Sequence, residues 1–286
     1  MEAAKEHWDI EIKPQKNNFT LNLKELWRYR DLIQLYVHRD VVTIYKQTVL
    51  GPLWYIIQPL FTTIVYMFVF GGIAGISTDG LPQMLFYLSG ILCWGYFNDC
   101  LGRTSGTFAG NVGVFSKVYF PRLVVPISGT ISNLVKFSIQ LALFIAVYGY
   151  FYYLGYDIYF TPYLFLFPVF LLMIAGLGFG FGIIISSLTA KYRDLAIFFS
   201  FITQLWMYAT PIVYPLSVME VKYAKYMWLI QLNPMTSIVE ATRYAFMGTG
   251  TFDWFWLGYS FVFAVVISII GIFIFNKVER NFVDTI

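Results

Sequence analysis

Charged side chains are scarce in this chain of 286 residues: they make up 12% of it, against about 25% in an average globular protein. Apolar residues make up 58% of the chain, and the mean hydropathy is +0.65. The apolar runs are long and unbroken, unlike the alternating segments of about ten residues that build a membrane barrel. The composition therefore excludes a soluble domain and predicts an all-α polytopic membrane protein.

Residue types that serve catalysis or bind metals are scarce as well. Both histidines, His7 and His38, precede the first long apolar run, and both cysteines, Cys93 and Cys100, fall within one apolar run. These residues form no metal-ligand or disulfide pattern, and we expect the cysteines to be buried apolar residues. The phosphate-binding motif G-x-x-x-x-G-K followed by Ser or Thr does not occur. We therefore expect no catalytic residue, no metal site and no nucleotide site of this type in the chain.

Five carboxylates lie between or beside the apolar runs, where a pair of them could in principle serve glycosyl transfer. They are Asp79, Asp157, Glu220, Glu240 and Asp253. Because they are scattered over different connections, we expect solvated loop charges rather than a catalytic pair.

Six apolar runs approach or exceed the ~20 residues that cross a bilayer. They cover residues 53–73, 84–101, 124–153, 163–188, 195–214 and 254–275. Lys and Arg occur before the first run, after the second and fourth, and in the tail, but not after the first and third. This distribution places both termini in the cytosol. The connection after the fifth run is the exception, because it contains Lys222, Lys225 and Arg243.

Residues 31–46, just before the first run, carry an amphipathic pattern. At about 100° per residue, one arc of a helix collects the apolar side chains. They are Ile33, Tyr36, Val37, Val41 and Ile44. The pattern predicts a helix in the membrane surface that turns into the bilayer at Gly51-Pro52. An ordinary juxtamembrane helix without a partner is the alternative.

Two connections are longer than simple turns. The connection 102–123 is predicted to form a short helix parallel to the membrane. The segment 216–250 is apolar for an outer loop, and we expect two short helices, broken at Asn233-Pro234, that re-enter the bilayer without crossing it. An amphipathic surface hairpin is the alternative for this second segment.

Two features inside the runs predict how helices pack. Small residues repeat in the fourth run, at Gly176, Gly178, Gly180 and Gly182, which predicts close helix packing. Charges inside a membrane are costly and usually paired. We therefore expect Asp99 of the second run and Lys136 of the third to form an ion pair, with a Lys136 that extends alone towards the interface as the alternative.

Residues 39–60, RDVVTIYKQTVLGPLWYIIQPL, resemble the N-terminal signature of permeases of polysaccharide-exporting ABC transporters, the exporters of O-antigen, teichoic acid and capsule. Further motifs of the same family follow in order along the chain. They are KVYFPR at 117–122, RD at 193–194, TPIVYP at 210–215, LNPM at 232–235 with Glu240 and Arg243, and ERNFVD at 279–284.

The resemblance implies a homodimeric permease of the ABC-2 type in the bacterial inner membrane, joined to two separate P-loop ATPase subunits. ATP and magnesium would bind to those subunits, so this chain needs no cofactor of its own. The cargo would be a lipid-linked, O-antigen-like polysaccharide moved from cytosol to periplasm, and membrane lipids, but not nucleic acid, complete the expected partners. The resemblance divides the chain into a cytosolic segment, 1–50, and a six-span domain, 51–286.

The resemblance also implies roles for particular residues. The helix 31–46 and the connection 102–123 would contact the ATPase subunits. The coupling candidates are Arg39, Asp40, Tyr45, Lys46, Asn111, Lys117 and Arg122. Arg39, Asp40 and Arg122 are the leading candidates, and anchoring at the cytosolic membrane surface is the alternative role for these three. The segment 216–250, with Asn233, Pro234, Glu240 and Arg243, would be a re-entrant pair near the periplasmic exit.

Aromatic residues make up 21% of the chain, and several lie within the apolar runs. Sugar rings stack on aromatic rings, so an aromatic path would let a glycan slide. The path candidates are Tyr66, Tyr96, Phe97, Phe198, Phe201 and Trp206, with lipid-facing or packing roles as the alternative. Other functions remain open at this stage: the same architecture exporting a lipid or drug, a membrane glycosyltransferase that needs no ATPase, or a channel-like scaffold.

Overall fold

The computed structural model describes residues 23–46 and 49–282, and these residues form helices and connections without any strand. The all-α prediction is confirmed for this part of the chain. The α-helices are α1 (Leu23–Arg28), α2 (Arg30–Tyr45), α3 (Trp54–Tyr66), α4 (Gln83–Ser105), α5 (Thr107–Gly110), α6 (Val112–Phe115), α7 (Val124–Tyr153), α8 (Phe167–Thr189), α9 (Leu195–Ala209), α10 (Leu216–Tyr223), α11 (Met227–Gln231), α12 (Pro234–Met247) and α13 (Trp254–Phe282). The first 22 residues of the predicted cytosolic segment lie outside the described part.

Four helical segments are long and apolar enough to cross a membrane. They are Gly51–Ile73, Val124–Tyr153, Pro162–Thr189 and Trp254–Arg280. These segments coincide with the first, third, fourth and sixth apolar runs. The first segment contains α3 and then changes to π-helical geometry over Met67–Ile73.

The second and fifth runs correspond to α4 and α9. Helix α9 has 15 residues, a rise of about 22 Å, which is less than the ~30 Å of the hydrocarbon core. The predicted run 195–214 was therefore too long for a helix. The chain is extended at Thr210, as expected for a residue that precedes a proline such as Pro211. The six-span count stays a prediction for these two helices.

Helix α8 packs against α4 on one side and α13 on the other. A Cβ added to Gly178 would lie 2.6 Å from the Cβ of Cys100, and one added to Gly180 would lie 2.8 Å from the backbone nitrogen of Ser268. Only glycine permits contacts this close, so the predicted close packing of the fourth run is confirmed. Cys93 and Cys100 are both buried in this core, as predicted.

The two long connections contain short helices. In the connection 102–123, α5 and α6 are separated at Asn111, so two helical turns replace the single helix that we expected. In the segment 216–250, three α-helices, α10 to α12, replace the two that we expected, and the predicted break occurs where α11 ends and α12 begins. Asn233 caps α12 by accepting a hydrogen bond from the backbone N–H of Met235 at 3.1 Å, and Pro234 occupies the first helical position. The re-entrant path of this segment stays a prediction.

Candidate functional site

Asp40 of α2 is the centre of a group of ionic contacts that joins three helices. Nη2 of Arg39 donates to its Oδ1 at 2.8 Å, and Arg103 near the end of α4 forms an ion pair with its Oδ2. The hydroxyl of Ser132 on α7 lies 3.5 Å from the same Oδ2. The Asp40 side chain is only 13% exposed, whereas both arginines are about half exposed. Asp40 therefore fixes α2 to α4 and α7.

Arg122, at the end of the connection 102–123, is buried against the last helix. Its Nη1 donates to the backbone oxygen of Glu279 at 2.8 Å, and its guanidinium lies 5.3 Å from the ring centre of Phe115. Burial lowers the pKa of Arg122 from its ordinary value, an effect that the Glu279 carboxylate opposes. Arginine remains protonated at physiological pH despite such a shift. Arg122 thus joins the connection 102–123 to α13.

An aromatic side chain, Tyr36, lies between these two groups. The guanidinium of Arg39 lies 4.5 Å from its ring centre, and the ring of Phe120 lies 6.3 Å away. Phe120 in turn packs 5.8 Å from Phe115 of α6. The helix α2, the connection 102–123 and the end of α13 therefore form one continuous cluster.

The other coupling candidates contribute less to this cluster. Lys46 and Lys117 are exposed, and the side-chain amide of Asn111 donates to the backbone oxygen of Thr107 within the connection. Tyr45 ends α2, but its side chain lies outside the described residues. No sequence pattern marks Arg103 or Glu279 as contacts of this cluster, although the motif that begins at Glu279 lies in the same region.

Asp99 of α4 and Lys136 of α7 are in contact. The lysine Nζ lies 2.8 Å from both carboxylate oxygens, and each side chain is between one fifth and one quarter exposed. The lysine also lies 5.5 Å from the ring centre of Tyr55 on α3. The structure thus brings the predicted pair together, and the lysine side chain is not extended alone towards the interface.

We expect Asp99→Ala and Lys136→Ala each to lower the free energy of unfolding by about 1 kcal/mol, because each leaves a partly buried charge without its counter-ion. The double variant should be no less stable than the worse single variant, since the interaction is already lost. Chemical denaturation in detergent micelles measures all three values. Additive losses would contradict a direct pairing.

The six aromatic path candidates divide into two groups. Tyr96 and Phe97 are buried in the core of the chain, where Phe97 packs 5.1 Å from Trp206. Their rings do not reach a surface that a glycan could contact, so the expectation is corrected for these two residues. Phe198 and Phe201 of α9 are 54% and 59% exposed.

The two remaining aromatic candidates make polar contacts. The Tyr66 hydroxyl lies 3.6 Å from the sulfur of Met207, and this contact joins the end of α3 to α9. The indole Nε1 of Trp206 donates to Oδ1 of Asn233 at 2.9 Å. The amide nitrogen of Asn233 donates to Oγ1 of Thr210 at 2.9 Å. Asn233 therefore joins the end of α9 to the start of α12.

Arg243 of α12 is almost completely buried and makes contacts on every side. Its Nη1 donates to Oε1 of Glu240 at 2.9 Å, and its Nη2 donates to the backbone oxygen of Ile212 at 2.9 Å. Its Nε lies 3.3 Å from the hydroxyl of Ser89, and its guanidinium lies 3.8 Å from the ring centre of Phe86. The side chain thus joins α12 to α4 and to the segment that follows α9.

The expectation that Glu240 is a solvated loop charge is wrong. Glu240 is 2% exposed and Arg243 is 1% exposed. The second carboxylate oxygen of Glu240 accepts a hydrogen bond from the backbone N–H of Thr251 at 3.3 Å. Pairing three residues apart on one helix compensates both charges and permits their burial. Because Arg243 is buried and paired, its charge no longer contradicts the prediction that both termini are in the cytosol.

Comparison with known proteins matches most of this chain to one family model and to several transport proteins. The family model described as ABC-2 type transporter matches residues 31–247. An O-antigen export system permease protein, RfbA, from Klebsiella pneumoniae is 28% identical over 260 residues, which cover 89% of this chain and 94% of that protein. The protein of the same name from Myxococcus xanthus is 29% identical over 224 residues, or 78% and 83% of the two chains. The polysialic acid transport protein KpsM from Escherichia coli is 25% identical over 244 residues, or 85% and 91%.

Proposed function

The chain belongs to the ABC-2 type transporter family, and from this we propose that it is the permease subunit of an ATP-driven exporter of a lipid-linked polysaccharide. The observation that carries the proposal is the similarity to the O-antigen export permeases over nearly their whole length. The apolar helices long enough to cross a membrane support a role within the bacterial inner membrane. The similarity to a polysialic acid transport protein favours a glycan of the polysialic acid kind as the second candidate cargo.

In this proposal, ATP and magnesium bind to two separate P-loop ATPase subunits, and two copies of this chain form the path between them. The surface helix α2 and the connection 102–123 lie in the cytosol and contact the ATPase subunits, and both termini are cytosolic. The segment 216–250 re-enters the membrane from the periplasmic side. Exposed rings, those of Phe198 and Phe201, line the path between the two copies.

The cluster around Asp40, Tyr36 and Arg122 gives a physical route for coupling. Movement of α2 is carried to α4 and α7 through Asp40, and movement of the connection 102–123 is carried to α13 through Arg122. The movement would take the permease between a closed state and a state with an open path. ATP binding can drive it only if the ATPase subunits bind these two states with different free energies. The ion pairs supply contacts that would differ between such states.

Co-expression and purification of the chain with the P-loop ATPase subunits of its own organism test the proposal. We expect a stable complex whose ATP hydrolysis in lipid nanodiscs changes when a lipid-linked glycan is added. Cells that lack the chain should also lose a surface glycan and regain it on complementation. A chain that forms no complex with an ATPase, and whose loss leaves every surface glycan in place, would refute the proposal.

The substitution Asp40→Asn tests the coupling route. We expect the complex to assemble but glycan export to fall about fivefold, because the neutral amide weakens the contact of α2 with Arg103 by roughly 1 kcal/mol. Surface glycan in complemented cells and ATP hydrolysis by the complex measure the effect.

Asp31→Asn is the matched control for this test. Asp31 is on the same helix, but its side chain is 86% exposed and its contact with Arg30 is 3.7 Å long. Exposed pairs of this kind contribute little, so export should be unchanged. Equal losses in the two variants would contradict a specific role for Asp40.

A further inference from the structure

A cavity of about 690 Å³ lies between α4, the end of α8 and α9. Its volume lies within the range of about 300–1,000 Å³ that is usual for ligand pockets. Its wall combines polar groups with aromatic rings. The lining residues that matter here are Trp94, Asn98, Arg193, Phe199, Ser200 and Gln204.

Two side-chain amides in this wall have no hydrogen-bond partner in the described part of the chain. Asn98 of α4 and Gln204 of α9 are both exposed to the cavity side of their helices, and both lie within predicted membrane runs. An amide without a partner costs several kcal/mol in hydrocarbon, of the order of 2–7 kcal/mol. The cavity must therefore present these amides to water or to a ligand that offers hydrogen-bonding groups.

Helix α9 directs polar side chains towards the cavity and presents an apolar face elsewhere. Ser200 and Gln204, four residues apart, face the cavity. Phe198, Phe201 and Leu205 do not line it, although each is more than half exposed. A helix that only packed against lipid would need no amide on any face. The division indicates that one face of α9 serves a hydrophilic ligand.

The chemistry of the wall selects the class of ligand. Amides and hydroxyls donate and accept hydrogen bonds at once, as sugar hydroxyls do. The rings of Trp94 and Phe199 supply apolar surface for the C–H face of a sugar. The described residues that line the cavity include no carboxylate, and Arg193, which precedes α9, is their single charged member. This composition suits an uncharged, hydroxyl-rich group better than an anion.

We propose that this cavity is a binding site for the sugar residues of the transported lipid-linked glycan, with Asn98 and Gln204 as the groups that bind sugar hydroxyls. The inference rests on the proposed export function and specifies a position for the glycan within one copy of the chain. The sugar, rather than the phosphate of the lipid carrier, provides the recognised groups.

Cysteine labelling tests the site in the full complex with its ATPase. Asn98→Cys and Gln204→Cys are labelled with a charged, water-soluble thiol reagent in nanodiscs of phosphatidylethanolamine and phosphatidylglycerol. Val262→Cys on α13 is the control, because its side chain is 59% exposed, does not line the cavity and is not a path candidate. The native Cys93 and Cys100 are buried and give little background. We expect both cavity variants to react about tenfold faster than the control, because the reactive thiolate forms only in contact with water.

Two lipid probes then show whether the cavity recognises the sugar or the pyrophosphate of the lipid carrier. The probes are polyprenyl-pyrophosphoryl N-acetylglucosamine and polyprenyl pyrophosphate without a sugar. The sugar-bearing lipid should slow labelling at positions 98 and 204, whereas the sugar-free lipid should not. Equal labelling at 204 and 262, no protection by the sugar-bearing lipid, or equal protection by both lipids would overturn the proposal.

A second measurement distinguishes a loss of glycan binding from a folding defect. The variant Gln204→Ala should raise the glycan concentration needed for half-maximal ATPase response about fivefold, the effect of one lost hydrogen bond, while Val262→Ala on α13 leaves it unchanged. Failure of the unmodified chain to bind an ATPase would refute the export function itself. A working exporter in which Gln204→Ala responds normally would refute only the cavity site.

Discussion

Replacing Arg243 with methionine is expected to lower the free energy of unfolding by about 3–5 kcal/mol, because the carboxylate of Glu240 is left buried without a counter-ion. Methionine replaces the arginine side chain as far as Nε and keeps the packing of its apolar stem, whereas the charge and the hydrogen bonds of the guanidinium are lost. The backbone oxygen of Ile212 and the hydroxyl of Ser89 lose a donor in the same step. Thermal unfolding of the purified protein in detergent, followed by size-exclusion chromatography, measures the loss.

Two further variants separate the charge effect from a general loss of packing. Arg30→Met makes the same substitution at a side chain that is 58% exposed, and it should change stability little. The double variant Arg243→Met with Glu240→Gln removes the orphaned charge and should recover part of the loss. A double variant that is less stable than Arg243→Met would show that burial of an unpaired carboxylate is not the cause.

The buried pair also shows what the sequence could and could not predict. Glu240 and Arg243 lie three residues apart within an otherwise apolar segment, and this spacing is typical of a pair on one helix. The spacing alone does not reveal burial, because an exposed amphipathic helix has the same pattern. Burial depends on the contacts of Arg243 with α4 and with the segment after α9, which are more than 30 residues away in sequence.

The helices themselves were largely predictable, since long apolar runs and proline positions determine where helices persist. The break before Pro234 was predicted correctly because Asn and Pro mark a helix start. The end of α9 was predicted five residues too late, although Pro211 already indicated that Thr210 could not be helical.

The candidate path was the least predictable part. Aromatic residues that lie within a uniformly apolar helix carry no pattern that distinguishes the core side from the outer side. Tyr96 and Phe97 are adjacent to Asn98, yet the first two are buried and the third lines a cavity. Only the packing of α4 against α7, α8 and α9 decides which side each residue occupies.

The second large effect is expected for Gly182→Ala in α8, which should lower the free energy of unfolding by about 2–3 kcal/mol through overpacking. An added Cβ would overlap the hydroxyl of Thr104 and lie 2.9 Å from the backbone oxygen of Leu101. Thr104 cannot easily move, because its hydroxyl donates to the backbone oxygen of Cys100 at 2.7 Å and lies 3.3 Å from that of Gly178. The helices α4 and α8 would have to separate.

Gly176→Ala is the matched control on the same helix. There the nearest atom to an added Cβ is the hydroxyl oxygen of Ser268 at 3.5 Å, an ordinary contact. Alanine also favours a helix by about 0.5–1 kcal/mol over glycine, so this variant should be neutral or slightly more stable. Thermal unfolding of both variants in the same detergent makes the comparison, and equal stability would contradict the close packing of α4 on α8.

The same packing restricts how transport can occur. We expect Gly182→Ala to be destabilising, and Thr104→Ala added to it to restore part of the stability. In that case α4 and α8 are in direct contact and have no space to slide past each other. The helices α4 and α8 would then move as one body, and with them the Asp40 contact and one wall of the cavity. The opening of a path must in that case come from α9, which lies on the other wall and presents Phe198 and Phe201 outward. A disulfide that locks α9 to α4 across the cavity should therefore abolish export and leave the complex intact, whereas one between α4 and α8 should not affect export.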